Sequence, residues 1–403
     1  MSLRLLAGAA AAFLAGTTPA FAQHKITVSA GQFDRHDTVV QFKLPEDTEP
    51  GGYALVDASD SGQRTRLQVG PNGRATFILG DLKAGQSRTY RVDEGGDDGA
   101  RAAPVEMSRD GDRLTFSAGG KEILQYQGAK TPLPAGYGPE FQRGGYIYPL
   151  YTPGGKLVAD DYPPKHKHHH GIWSPWTATR FEGRTPDFWN MGQKTGTVEF
   201  VGIDAAWSGA VVGGFAARHR MIDLSAKPDP KPAIHEAWNV RVYRPLTGAK
   251  PAYVIDWTST QTCASESPLV LPKYHYGGFG LRGSREWEDK SNCFFLTSEG
   301  RDRSNGNETT GKWCWMGGKV DGQMAGVAIL CHPDNFRFPQ GMRLNPDEPF
   351  FCYCPSQAGE WKIEPGKPYV AKYRVVAADG PADAKEIERL WNDYATPPKV
   401  TVE

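Results

Sequence analysis

The sequence predicts an all-β protein: a small N-terminal immunoglobulin-like β-sandwich, then a large antiparallel β-sandwich with a C-terminal helix. Three observations carry this. Short runs rich in β-branched and aromatic residues recur along the chain, Gly, Pro, Asn and Asp punctuate them, and helical periodicity is confined to one segment near the end.

Residues 1–22 place one basic residue, Arg4, before an apolar run from Leu5 to Leu14 and finish in Ala20-Phe21-Ala22, the order of a secretory signal peptide. Cleavage near Ala22 would leave a periplasmic or secreted protein beginning at Gln23. Over 23–92 the expected strands are Thr38–Leu44, Tyr53–Asp57, Arg64–Val69, Ala75–Leu79 and Thr89–Val92, spaced as in a small sandwich. A Gly/Asp/Ala-rich stretch, 93–104, has the composition of a linker, so the flanking units are expected to fold independently. The large domain, 105–380, holds strands such as Tyr146–Tyr151, Thr197–Ile203, Glu236–Tyr243, Tyr253–Thr258, Val327–Cys331 and Tyr369–Val376. Strands this numerous without alternating helices favour an antiparallel sandwich over a βαβ fold. In 381–403, Ile387, Leu390, Trp391 and Tyr394 share one helical face and are expected to close that sandwich.

Charge is balanced, 46 basic against 46 acidic residues, so no overall field draws in nucleic acid or an anionic surface. No stretch after the signal is apolar for long enough to span a membrane. The expected partner is a neutral small molecule or oligosaccharide. All six cysteines lie at or beyond Cys263, in a chain bound for an oxidising compartment, so one or more disulfides are expected. Cys352 and Cys354, at i and i+2, would share a strand face and form a poor pair. Phosphate loops, Walker patterns and GxSxG elbows are absent from the sequence.

The densest chemical signal is Lys165-His166-Lys167-His168-His169-His170-Gly171. In an extended strand His166, His168 and His170 would face one way and His169 the other. Imidazoles at this spacing can relay protons or chelate a metal, with His166 and His168 as the candidate metal pair. Trp173, Trp176 and Trp189 flank the cluster as candidate sugar platforms, because an indole covers the apolar face of a pyranose. Glu236 falls on the apolar side of its strand, where a carboxylate must be paired or raised in pKa. The remaining candidates are Tyr274, His275 and Arg282 in a Gly-rich stretch, and His332 with Asn335 at the abrupt end of an apolar run.

These motifs resemble a family of exported bacterial proteins of unknown function that carries the label "methane oxygenase PmoA". The resemblance spans about Tyr146 to Gly380. It rests on Tyr148-Pro149-Leu150-Tyr151-Thr152-Pro153-Gly154, the box His166-x-His168-His169-x-Gly171, Asp187-Phe188-Trp189 and His332-Pro333-Asp334-Asn335; His170 departs from the pattern as an extra imidazole. The label does not carry over as function, because the methane monooxygenase subunit is embedded in a membrane and this chain has a mean hydropathy of -0.52. The order of features is also similar to galactose-mutarotase-type supersandwiches, which implies a sugar ligand facing histidines and a carboxylate.

The resulting expectation is an exported carbohydrate-active protein that acts on a glycoside or modified sugar. His166, His168, His169, Glu236, His275 and His332 would do acid–base work in one cleft, while Trp173, Trp176, Trp189, Tyr274, Arg282 and Asn335 would bind substrate. A divalent metal held by two box histidines and a distant third ligand is the favoured cofactor. The alternatives are a non-catalytic glycan-binding module and a metal-dependent oxidase or hydrolase of another substrate.

Overall fold

A computed structural model describes residues 24–95, 103–248 and 250–403. The expected signal peptide and most of the expected linker lie outside these residues. The chain is mostly antiparallel β-sheet, sandwich-like, with one α-helix near its C-terminus.

The N-terminal unit is one hydrogen-bonded order of seven strands. From edge to edge these are Thr38–Lys43, Arg74–Leu79, Arg64–Val69, Gly51–Asp57, Ser87–Glu94, Lys25–Ser29 and Lys399–Val402. Its alternating apolar residues, among them Ile26, Val40, Leu55, Leu67, Phe77 and Val92, meet in a single cluster, so the sheet folds over onto itself. The seventh strand comes from the far end of the chain, pairing Ile26 with Val402 and Val28 with Val400.

The large unit stacks two eight-stranded sheets. The front sheet runs Met342–Leu344, Phe350–Tyr353, Gly280–Arg282, Ile172–Trp173, Tyr146–Leu150, Lys121–Gln127, Arg113–Ala118, Val105–Asp110. The back sheet runs Gly196–Trp207, Val212–Asp223, Lys231–Tyr243, Ala252–Cys263, Tyr369–Asp379, Gln323–Cys331, Trp313–Val320, Phe294–Thr297. Period-2 alternation sorts the side chains. Ile147, Ile172, Leu281 and Phe351 of the front sheet meet Ile234, Trp238, Trp257 and Val327 of the back sheet in the core. The alternate front-sheet residues Tyr146, Trp173, Phe350 and Cys352 build a separate cluster on the outer face with Trp189.

The helix Ala384–Ala395 begins at Asp383, whose carboxylate accepts hydrogen bonds from the backbone N–H groups of Lys385 and Glu386. It covers the outer face of the back sheet, where Ile387 and Leu390 join Trp313, Leu330 and Val376. Val39 and Ile78 of the N-terminal unit belong to the same cluster. Inside that junction Arg35 and Asp393 form a fully enclosed ion pair at 2.8 Å.

All six cysteines are free thiols, contrary to the disulfide expectation. Cys293, Cys314 and Cys331 face the core while Cys352 and Cys354 face the outer cluster, so the sheet separates the two groups. No helix among the described residues is long and apolar enough to cross a membrane.

Candidate functional site

The histidine box is a loop of turns, and the strand reading of it is corrected. Pro163-Pro164 interrupts extended pairing, His166 N–H donates to Pro163 O at 3.1 Å, and His169 N–H donates to His166 O at 2.8 Å. Tyr162 opens the loop with a left-handed φ of 50°, and its N–H donates to His169 O, closing the loop at its base. The i, i+3 turn stacks the His166 and His169 rings, with centroids 4.8 Å apart and planes at 19°. His168 stands edge-on, 4.8 Å from His169 and 5.8 Å from His166. Three imidazoles therefore meet where alternation would have separated one.

The loop sits on the outer face of the front sheet. His169 rests on Phe350 at 4.8 Å and Trp173 at 5.1 Å, with the Trp189 ring at 6.1 Å. Close packing here uses Gly280: a Cβ would lie 2.9 Å from the Trp189 ring. From the same strand Arg282, wholly buried, extends to the box. Its Nη1 donates to Glu348 Oε2 at 2.6 Å and approaches His169 Nδ1 at 3.5 Å, while Nη2 meets Glu288. His166 Nδ1 lies 2.6 Å from the same Glu348 oxygen, an ion-pair distance, although its N–H points off the ideal line. Glu348 is thus shared between an arginine and the rim histidine, whose side chain is 37% exposed.

Burial would raise the Glu348 carboxyl, but His166 and Arg282 together pull it down to about 2, so it is ionised at neutral pH. Burial, reinforced by the neighbouring His166, lowers His168 to about 3. Burial also holds His169 well below the ordinary imidazole range. Both rings are neutral hydrogen-bonding groups near pH 7.

His170 points away from its three neighbours. It stacks on Tyr146 at 4.3 Å, and its Nδ1 lies 2.6 Å from Asp161, which also accepts from the Tyr146 hydroxyl. Trp173 and Trp189 back the box but are 0% and 1% exposed, so they form its floor and offer no open face to a ligand. Trp176 belongs to the core, where its indole donates to Gln261 at 2.6 Å.

Glu236 occupies the apolar face of its strand, as its alternation indicated, and that face looks into the core. Its Oε1 accepts from Ser259 at 2.6 Å and Gln261 at 2.9 Å, Oε2 lies 3.7 Å from buried His219, and burial raises its pKa. Tyr274, His275 and Tyr276 reach the outer face beside the box, with Tyr276 5.5 Å from Trp189.

His332 does not join them, which corrects the expected convergence. It follows the outward-facing Leu330 and packs against Tyr394 of the helix at 4.9 Å, on the outer side of the back sheet. The whole sandwich lies between it and the box. Asn335 is a turn residue that bonds the backbone of Lys372 in both directions, at 2.8 Å each.

Two partners escaped sequence reasoning. Glu348 follows Asn345-Pro346-Asp347 at the entry to an apolar strand, and Asp161 stands in the Asp160-Asp161 pair just before the box. A carboxylate at a strand mouth and paired carboxylates beside a histidine run were the available signals.

Among the described residues no group of three or more His, Cys, Asp or Glu is arranged to hold a metal ion. The Arg282 guanidinium, 3.5 Å from His169, also opposes a second cation there. The box therefore fits proton transfer and hydrogen bonding better than chelation.

The fold and this cluster define a class: an all-β sandwich protein with an imidazole–carboxylate site on the outer face of one sheet. The chain belongs to the family of unknown function DUF6807, which matches residues 113–392, more than two thirds of its length. No curated protein matches it.

Proposed function

We propose that the protein is an exported carbohydrate-active enzyme that works on a glycoside or modified sugar by acid–base chemistry at His166. The observation that carries this is the His166–Glu348 pair: a half-exposed imidazole at the rim, held by a carboxylate that Arg282 anchors from below. A carboxylate beside Nδ1 favours the Nδ1–H tautomer and leaves the Nε2 lone pair free. His166 Nε2 then accepts a proton from a sugar hydroxyl or returns one to a leaving oxygen, and Glu348 stabilises the imidazolium formed. Neutral His168 hydrogen-bonds the substrate, while Glu348 and Arg282 act through His166 as positioning residues. The balanced charge of the chain agrees with a neutral substrate.

The test is turnover of a panel of glycosides and oligosaccharides by protein purified without a histidine tag. His166→Ala should lower kcat/KM by about 10²-fold or more, as should Glu348→Gln, with both variants remaining folded by near-ultraviolet circular dichroism. Activity should survive a chelator. Stoichiometric zinc, copper, manganese or iron lost in His166→Ala would replace this mechanism with a metal-assisted one. Binding without turnover would make the protein a glycan-binding module.

A further inference from the structure

Three consecutive rings, Tyr274, His275 and Tyr276, make a second group beside the box. Their centroids lie 4.5, 4.8 and 5.1 Å apart, and each residue is only partly buried. Backbone conformation explains why three neighbours all stay near the surface. Gly277 and Gly278 follow with φ of 131° and 90°, and a Cβ on Gly278 would meet the Trp176 ring at 3.0 Å and Tyr353 O at 3.1 Å. The chain dives into the core at these glycines, leaving the rings before them at the outer face.

Hydrogen bonds anchor two of the three residues. Asn190 Nδ2 donates to the Tyr276 hydroxyl at 2.9 Å and is itself fixed by Asp187 at 2.8 Å. Gln357 Nε2 donates to His275 O at 2.9 Å. The group is also continuous with the proposed catalytic site, since Trp189 stands 5.5 Å from Tyr276 on one side and 6.1 Å from His169 on the other. Burial pushes the Tyr276 hydroxyl up to about 12, and burial with nearby Arg343 pulls His275 down, so both are uncharged near neutral pH. Arg343, bonded to Asn307 at 3.1 Å, supplies polar groups nearby. Neutral ring faces with polar tips suit the apolar face and hydroxyl rim of a sugar.

We propose that Tyr274, His275 and Tyr276 form a second saccharide subsite, which takes a ring adjoining the one held at His166, so that the substrate is an oligosaccharide and not a lone sugar. This rests on the carbohydrate reading of the box. Unlike the buried tryptophans, these rings have surface to offer.

The experiment titrates the full chain calorimetrically with glucose-, xylose-, mannose- and galactose-based ligands of one to four units. The probes are wild type, Tyr274→Ala, Tyr274→Phe, His275→Ala and His166→Ala. For wild type, affinity should rise about tenfold or more between one unit and two or three. Tyr274→Ala and His275→Ala should bring that ratio close to one, Tyr274→Phe should keep it, and His166→Ala should keep it while turnover is lost. An affinity independent of length, or an equal loss for one-unit and longer ligands in Tyr274→Ala, overturns the subsite and leaves the carbohydrate reading standing. If no ligand of any length binds, both readings fall.

Discussion

Four histidines in five residues end up with three kinds of surroundings. His166 keeps a carboxylate and an exposed edge, His168 is partly buried and His169 enclosed, both of them neutral, and His170 is tied to Asp161. Enclosure has a consequence for acid stability. Burial, with Arg143 nearby, pulls fully buried His219 down to about 3, as burial and His166 do for His168. An unfolded chain exposes these rings at an ordinary pKa of about 6.5. Between about pH 6.5 and 3 the unfolded state therefore binds more protons than the folded one, and stability falls as pH drops through that window. Each such histidine adds up to about 1.4 kcal/mol per pH unit. Glu348, depressed to about 2, adds a stabilising contribution that is lost only at the acid end, as pH falls from its unfolded value toward 2. Denaturant melts from pH 7 to 4 should show this slope, and His219→Gln should flatten it; an unchanged slope in that variant would remove His219 from the account. At this scale the box was legible because its residues are adjacent in sequence. Glu348 was not, because a contact across so many residues leaves no local pattern.

Among the elements, the helix was the easiest to read and its anchor the hardest. Ile387, Leu390, Trp391 and Tyr394 fall at helical spacing and do pack inward, against the outer face of the back sheet. Asp393, beside that apolar stripe, is buried against Arg35, a partner that period alone cannot reveal. Asp393→Ala would leave the Arg35 guanidinium enclosed with only backbone acceptors, Ala30 O and Thr396 O. The expected cost is about 3–5 kcal/mol, read as a lower denaturant midpoint at unchanged m-value. A loss under about 1 kcal/mol would mean that water reaches the junction. Strand alternation was read correctly where neighbouring strands enforce it, as for Glu236. It misled at the box, because two prolines and i, i+3 hydrogen bonds replace the ladder there.

For the whole molecule, the all-β composition was legible from punctuated strand runs, while the joining of its two units was not. Gln68 donates to Val212 O at 2.8 Å and accepts from the N–H groups of Val211 and Val212 at 2.9 Å each, and Val39 and Ile78 cover the adjoining apolar surface. Removing 24–92 would uncover that surface, leave Asp393 without Arg35, and strip Lys399–Val402 of its pairing strand. The truncated protein is expected to aggregate or melt well below the intact one in a thermal scan with light scattering; a soluble fragment with an unchanged midpoint would show that the two units fold independently.

The pairing of Lys25–Ser29 with Lys399–Val402 also bears on how the chain is made. Synthesis delivers the first six strands of the N-terminal sheet early and the seventh, Lys399–Val402, only after every strand of the large unit. Until then Lys25–Ser29 keeps an open edge, able to recruit a strand from another nascent chain. Completion of the first unit is thus timed by arrival of the distal strand, and a ribosome that stalls late releases a product whose opening sheet is still unsealed.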